Sequence, residues 1–157
     1  MNLYEKIWML INDKYEHFVE FEKVTSNILS CDIDDIENLI KKRESLINLI
    51  TKIDSEITKL CSECDYPEIA LKAVKCLCNR NEIPQELKKV FDATMNVFSV
   101  VNRINDLDNQ ARQRIDQEKT NLLIKIKENN KSAGAQASKY LPSNNFDQTS
   151  MILNQKF

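Results

Sequence analysis

Glycine is almost absent from this chain: Gly134 stands alone among 157 residues, where average usage would supply about eleven. Phosphate-cradling loops need several glycines, because only a residue without a side chain lets successive backbone N–H groups close on the anion. A Rossmann fingerprint and a Walker loop are both excluded. Two-residue hairpins lose their usual Asn-Gly or Asp-Gly, which argues against a β-sandwich or barrel. Proline occurs only at 67, 84 and 142, leaving 1–66 and 85–141 free of the strongest helix breaker. His17 is the single histidine. With no second imidazole and no nucleophile motif it has no triad to join, and it is read as a solvated or boundary residue. Charge of one sign is lacking too: the formal net charge of −2 gives no general drive toward nucleic acid or anionic membrane. No run of ~20 uncharged apolar residues exists, so no membrane insertion is expected. The start, Met1 to Lys6, lacks a basic n-region, and Asp13 and Lys14 cut its apolar run. No secretory signal is expected, and an odd count of five cysteines then fits free thiols in a reducing cytoplasm.

What is present is helical periodicity. Leu3, Ile7, Leu10, Ile11, Phe18, Phe21 and Ile28 return to one side at helical spacing. The pattern breaks at Ser30-Cys31-Asp32, where Asp32 is placed to cap the next helix and Asp34, Asp35 and Glu37 suit its N-terminal dipole. A first helix is expected to end near Leu29 and a second to begin near Ile33. In that second helix Ile36/Leu39, Arg43/Leu46, Ile50/Ile53 and Ile57/Leu60 alternate by threes and fours. Ile33, Ile40, Ile47 and Leu49 broaden the seam enough to face more than one neighbour. Lys41-Lys42-Arg43 is flanked by acids and is read as a solvated face. Pro67 closes this helix, and a short helix is expected over 68–79. From Pro84 the pattern runs to about Ser138 through Leu87, Phe91, Met95, Phe98, Val101, Ile104, Ala111, Ile115, Leu122 and Ile126. At 1.5 Å per residue it would reach roughly 80 Å, against about 45 Å for the first two. It is expected to overhang them or to break near Asn129-Asn130 and Ser132-Ala133-Gly134.

The expected fold is all-α: an elongated antiparallel helical bundle or coiled coil of three long helices, with a short helix and a C-terminal tail. The bundle domain is placed at 1–141 and the tail at 142–157. Through Tyr66 there are eight basic and fourteen acidic residues, net −6; from Gln85 to Leu141 there are ten and seven, net +3. That division favours docking of the two halves, weakly, because surface pairs contribute only ~0–1 kcal/mol each.

Two features bear on chemistry. Cys61-x-x-Cys64 followed by Cys76-x-Cys78 has the flavour of a zinc site, which wants four thiolates or imidazoles in a tetrahedron. Cys76 and Cys78 fall in a helical pattern, where i and i+2 point ~200° apart. The four are therefore read as small core thiols, with no metal or other cofactor. The second feature is excess apolar surface. Leu122, Leu123, Ile124 and Ile126 crowd five positions where neighbouring helices should already have ended. Leu141, Phe146, Met151, Ile152, Leu153 and Phe157 follow around and beyond Pro142. Such a surface suits a partner helix.

The first helix of about thirty residues, the acidic break, the run Asp-Ile-Asp-Asp-Ile-Glu-Asn-Leu-Ile-Lys-Lys-Arg-Glu-Ser-Leu-Ile-Asn-Leu-Ile (32–50), and Ile104-Asn-Asp-Leu-Asp-Asn-Gln110 leading into a long polar helix form one layout. It resembles the FlgN/FliT-like flagellar export chaperones; the Pro67–Glu82 segment with its cysteines lies outside that pattern. The resemblance implies a cytoplasmic chaperone that catalyses nothing. Such a protein binds late flagellar subunits (hook-associated or cap proteins) by helix-in-groove contacts and delivers them to the type III export gate. It further implies that the C-terminal helical region engages clients, here Leu122, Leu123, Ile126, Tyr140, Leu141, Phe146, Met151, Ile152 and Leu153. Tyr140 stands, by location, where the family uses a tyrosine at the gate. The alternative reading is a structural coiled-coil adaptor that self-associates through its second helix as a homodimer.

Overall fold

The computed structural model describes residues 1–140, and all regular structure among them is helical. Four α-helices follow one another: α1 (Leu3–Ile28), α2 (Ile36–Ser62), α3 (Pro67–Ala73) and α4 (Gln85–Tyr140). Short 3-10 turns at Ile33–Asp35 and Arg80–Glu82 precede α2 and α4. The chain falls into two units, Met1–Ile115 and Asp116–Phe157.

The first unit is a helical bundle. Asn2 starts α1 through a reciprocal capping box: the Glu5 N–H donates to Asn2 Oδ1 at 2.8 Å, and the Asn2 N–H donates to Glu5 Oε2 at 3.1 Å. Two otherwise orphaned donors are satisfied together. Asp32 behaves differently from expectation. It precedes the 3-10 turn in extended conformation, but its side chain makes no capping bond, and α2 proper begins three residues later than Ile33. Pro67 occupies the first turn of α3, where its fixed φ is preorganised and its missing N–H costs nothing.

One cluster of apolar side chains joins all four helices: Ile7 and Ile11 from α1, Ile53, Ile57 and Cys61 from α2, Ala70 and Ala73 from α3, and Leu87, Val90 and Val97 from α4. A second, smaller cluster of Phe21, Val24, Leu46, Val100 and Ile104 continues it. The α2 seam lies where its periodicity put it: Ile36, Leu46, Ile50, Ile53 and Ile57 are buried, and Leu39 and Leu60 are half-buried against the two clusters. Leu87, Phe91, Ile104 and Ala111 of the α4 stripe are buried as expected, but the stripe departs from expectation between them. Met95 and Phe98 stay 45% and 52% exposed, while Val90, Thr94, Val97 and Val100 face inward. Leu87, Val90, Thr94, Val97, Val101 and Ile104 advance by three and four, the spacing that keeps a stripe on a neighbouring helix. Met95 and Phe98 fall off that line, whereas Phe91 stays in the core. The two buried hydroxyls, Thr25 and Thr94, donate to the carbonyls of Phe21 and Val90 at 2.8 and 2.9 Å, so neither leaves a polar group unsatisfied.

Ion pairs record the register. Lys14 pairs with Asp54 and Glu20 with Lys42, so α1 and α2 meet in opposite chain order. Glu22 pairs with Arg103, and Arg114 donates to the carbonyls of Ile28 and Cys31, so α1 and α4 meet in the same order. The solvated-face reading of Lys41-Lys42-Arg43 holds for Lys41 and Lys42, which stay exposed while pairing with Glu37 and Glu20. Arg43 is instead held between helices. It donates to Asp108, and its guanidinium lies 4.6 Å from the Phe21 ring centroid, a geometry in which the cation meets the negative face of the ring.

Ile50→Ala should cost about 2–5 kcal/mol of stability in urea unfolding, as truncations in packed cores do. A second expectation concerns pH. Hydrogen bonds from Arg103 hold the Glu22 carboxyl below its ordinary 4.5, and Lys42 does the same for Glu20. A carboxyl whose folded pKa is depressed stabilises fully above the unfolded value and loses that contribution as pH falls through the folded one. The stability difference between the native chain and Glu22→Gln should therefore shrink as pH drops from about 6 to about 3. An unchanged difference over that range would mean that Glu22 contributes through packing alone.

Candidate functional site

The residues with client-binding expectations divide at Tyr140. Leu141, Phe146, Met151, Ile152 and Leu153 lie outside the described residues. Leu122, Leu123, Ile126 and Tyr140 all lie on α4 in the second unit, which is a single stretch of helix as far as it is described. No break occurs at Asn129-Asn130 or at Ser132-Ala133-Gly134. Lys, Ala, Leu, Gln and Glu supply twelve of the 22 residues from 119 to 140 and all favour helix, enough to carry the ~1 kcal/mol penalty of an interior glycine. A side chain at Gly134 would meet nothing within 4 Å.

Every residue from 119 to 140 is exposed. Leu122, Leu123, Ile124 and Ile126 each keep 45–54% of their surface open, and Tyr140 keeps 87%. At about 100° per residue, Leu122, Ile126, Ala133 and Tyr140 fall within roughly 40° of one another. Leu123 lies to one side of this stripe, and Ile124 lies on the far side of the helix. Three of the four expected aliphatic and aromatic positions thus share one face, and Leu123 widens it. Burying such a stripe against another helix would be favourable by ~25 cal/mol per Å².

The cysteines are separated by structure. Cys61 is fully buried in the core, and burial pushes its thiol up to about 11. Cys64 donates through Sγ to the Leu60 carbonyl at 3.4 Å. Cys76 and Cys78 do not sit in a helix, which corrects the expected helical span over 68–79: α3 stops at Ala73. The reason is a Schellman turn. The Leu77 N–H donates to the Lys72 carbonyl at 2.9 Å and the Cys76 N–H to the Ala73 carbonyl at 3.2 Å. This closure requires a left-handed residue just past the helix, where glycine is usual. In a chain so poor in glycine, Cys76 fills the position with φ 54°. Its Sγ lies 3.5 Å from Met95 Sδ. Among the described residues no three His, Cys, Asp or Glu side chains gather in a metal-holding group. Cys61, Cys64, Cys76 and Cys78 all have thiols raised by burial, the opposite of an activated nucleophile.

His17 makes a 3.7 Å contact with Asp13 on the same helix. Sequence reasoning gave no binding role to the residues of a groove of about 540 Å³ in the first unit, where Met1, Tyr4, Trp8 and Met9 meet Arg80 and Lys89. The exposed indole of Trp8 was the available signal. Across this groove Arg80 is locked to Asp92 by two hydrogen bonds of 2.7 and 2.9 Å, which hold the turn before α4 against the helix. No helix among the described residues is long and apolar enough to cross a membrane. Comparison with protein-family models, curated proteins and solved structures gives no match for the chain.

Cys76→Gly should raise stability by about 0.5–1 kcal/mol, because glycine meets no side-chain penalty in the left-handed region. Cys76→Val should lower it. Urea midpoints decide the matter, and a destabilised glycine variant would mean that the sulfur contact with Met95 outweighs the backbone strain.

Proposed function

We propose that this chain is a non-catalytic helix-binding protein: a cytoplasmic export chaperone of the flagellar type III kind. In this reading it holds hook-associated or filament-cap subunits unassembled and delivers them to the export gate. The observation that carries helix capture is the 119–140 stretch, helical along its length, exposed at every residue, and carrying four aliphatic side chains in five positions. The flagellar assignment comes from the resemblance of the 32–50 and 104–110 segments and their order along the chain.

The scaffold proposed for this role is an antiparallel, coiled-coil-like bundle. Its support is the opposite chain order of the Lys14–Asp54 and Glu20–Lys42 pairs and the three-four spacing of the α2 seam. A bundle stabilised by its own core leaves the exposed helix free to bind and release without unfolding. The adaptor reading draws on a different observation: Ile47 and Leu49 remain exposed on α2. Self-association through that face predicts a concentration-dependent mass in light scattering that Ile47→Asp abolishes.

The deciding experiment titrates purified hook-associated protein and filament-cap protein against the full chain, Leu123→Asp and Ile126→Asp. Both side chains are half exposed, so the variants should melt like the native chain. Each should bind about tenfold more weakly or worse, a loss of about 1.4 kcal/mol. Full-strength binding by both variants would move the client site elsewhere, and no binding by the native chain would remove the flagellar assignment.

A further inference from the structure

We infer that the 119–140 helix takes an acidic amphipathic helix as its partner, an assignment that rests on the helix-capture reading and adds the partner's charge. Residues 119–140 contain five lysines (119, 125, 127, 131 and 139) and one acid, Glu128, a net charge of +4. Residues 1–118 contain sixteen basic and twenty-two acidic residues, a net charge of −6. Seven of the sixteen basic side chains of the first unit pair with acids: Lys14, Lys41, Lys42, Arg43, Arg80, Arg103 and Arg112. None of the five lysines of 119–140 takes part in an ion pair among the described residues.

Their placement points to a helix. With Leu122 and Tyr140 as reference, Lys125 and Lys139 lie about 60° and about 100° to one side and Lys119 about 60° to the other. Charges that border an apolar seam are the ones that pair across two packed helices and choose between partners. Glutamates or aspartates bordering the partner's own apolar stripe would meet these lysines while the two stripes bury one another. A second copy of this helix would instead set +4 against +4, which disfavours self-pairing. An anionic bilayer surface suits a helix whose lysines gather opposite its apolar face. Here Lys127 and Lys131 share the far side with Ile124, and Lys119 and Lys125 stand next to Leu122, so the faces are mixed.

The test uses the full chain and labelled peptides of three heptads (~21 residues) with Leu at a and d and with Glu, Gln or Lys at e and g. Fluorescence anisotropy should show the Glu peptide binding about tenfold more tightly than the Gln peptide and the Lys peptide weakest of the three. The gap should close between about 0.05 M and about 0.5 M salt. In the double variant Lys125→Glu/Lys139→Glu, whose melting curve should match that of the native chain because both positions are exposed, the order should invert. Equal binding of all three peptides at low salt overturns the acidic-partner assignment and leaves helix capture standing. Binding of none of them overturns both, and binding to phosphatidylserine vesicles with no peptide preference replaces the partner helix with a membrane surface.

Discussion

The first unit depends on the burial of one aliphatic column. Ile7 and Ile11 of α1, Ile53 and Ile57 of α2, and Leu87 and Val90 of α4 share a single cluster. Each of these helices has an apolar stripe that water would otherwise cover, at ~25 cal/mol per Å². A helix this polar on its outer side gains little from propensity alone, so the three long elements hold one another in place. The small α3 contributes Ala70 and Ala73, whose short side chains let its backbone come close to the column. The Schellman turn at Cys76 then turns the chain toward α4 and keeps Cys76 in contact with Met95.

Where the aliphatic column gives way to mixed residues, arginines take over. Arg43 binds Asp108 over the face of Phe21, and Asp108 Oδ2 also accepts from Arg112 at 3.0 Å. Arg103 grips Glu22 through both carboxylate oxygens. Arg114 reaches the carbonyls of Ile28 and Cys31, close to the C-terminal end of α1 where the helix dipole favours a cation. No lysine could reproduce these contacts equally well, since a planar guanidinium offers several donors in a fixed fork. These contacts set register and direction. Packing contributes most of the stability, because partly exposed ion pairs contribute little.

The 119–140 stretch follows another rule. It is exposed at every residue, and its five lysines face a single acid, Glu128. On the proposed reading, an open helix recognises its partner by shape and charge along one face, so its lysines matter as much as its leucines.

Periodicity alone was enough to read the number and order of the helices, the approximate ends of α1 and α2 and their inward residues, and the crowding of Leu122 to Ile126. Each of these follows from intrahelical geometry, which is local. The choice among competing stripes on α4 was not local: Met95 and Phe98 are apolar, but the neighbouring helices admit Val90, Val97 and Val100. Arg43 looked solvated because its acidic partner lies sixty-five residues away in sequence. Cys76 looked helical because the left-handed turn that ends α3 is usually marked by a glycine this chain does not have. Gly134 looked like a break because composition near it is polar, yet a glycine with nothing around it costs a long helix too little to interrupt it. Sequence thus determined which segments coil and what each can bury; tertiary structure decided which face is buried, because that choice depends on partners that sequence spacing does not reveal.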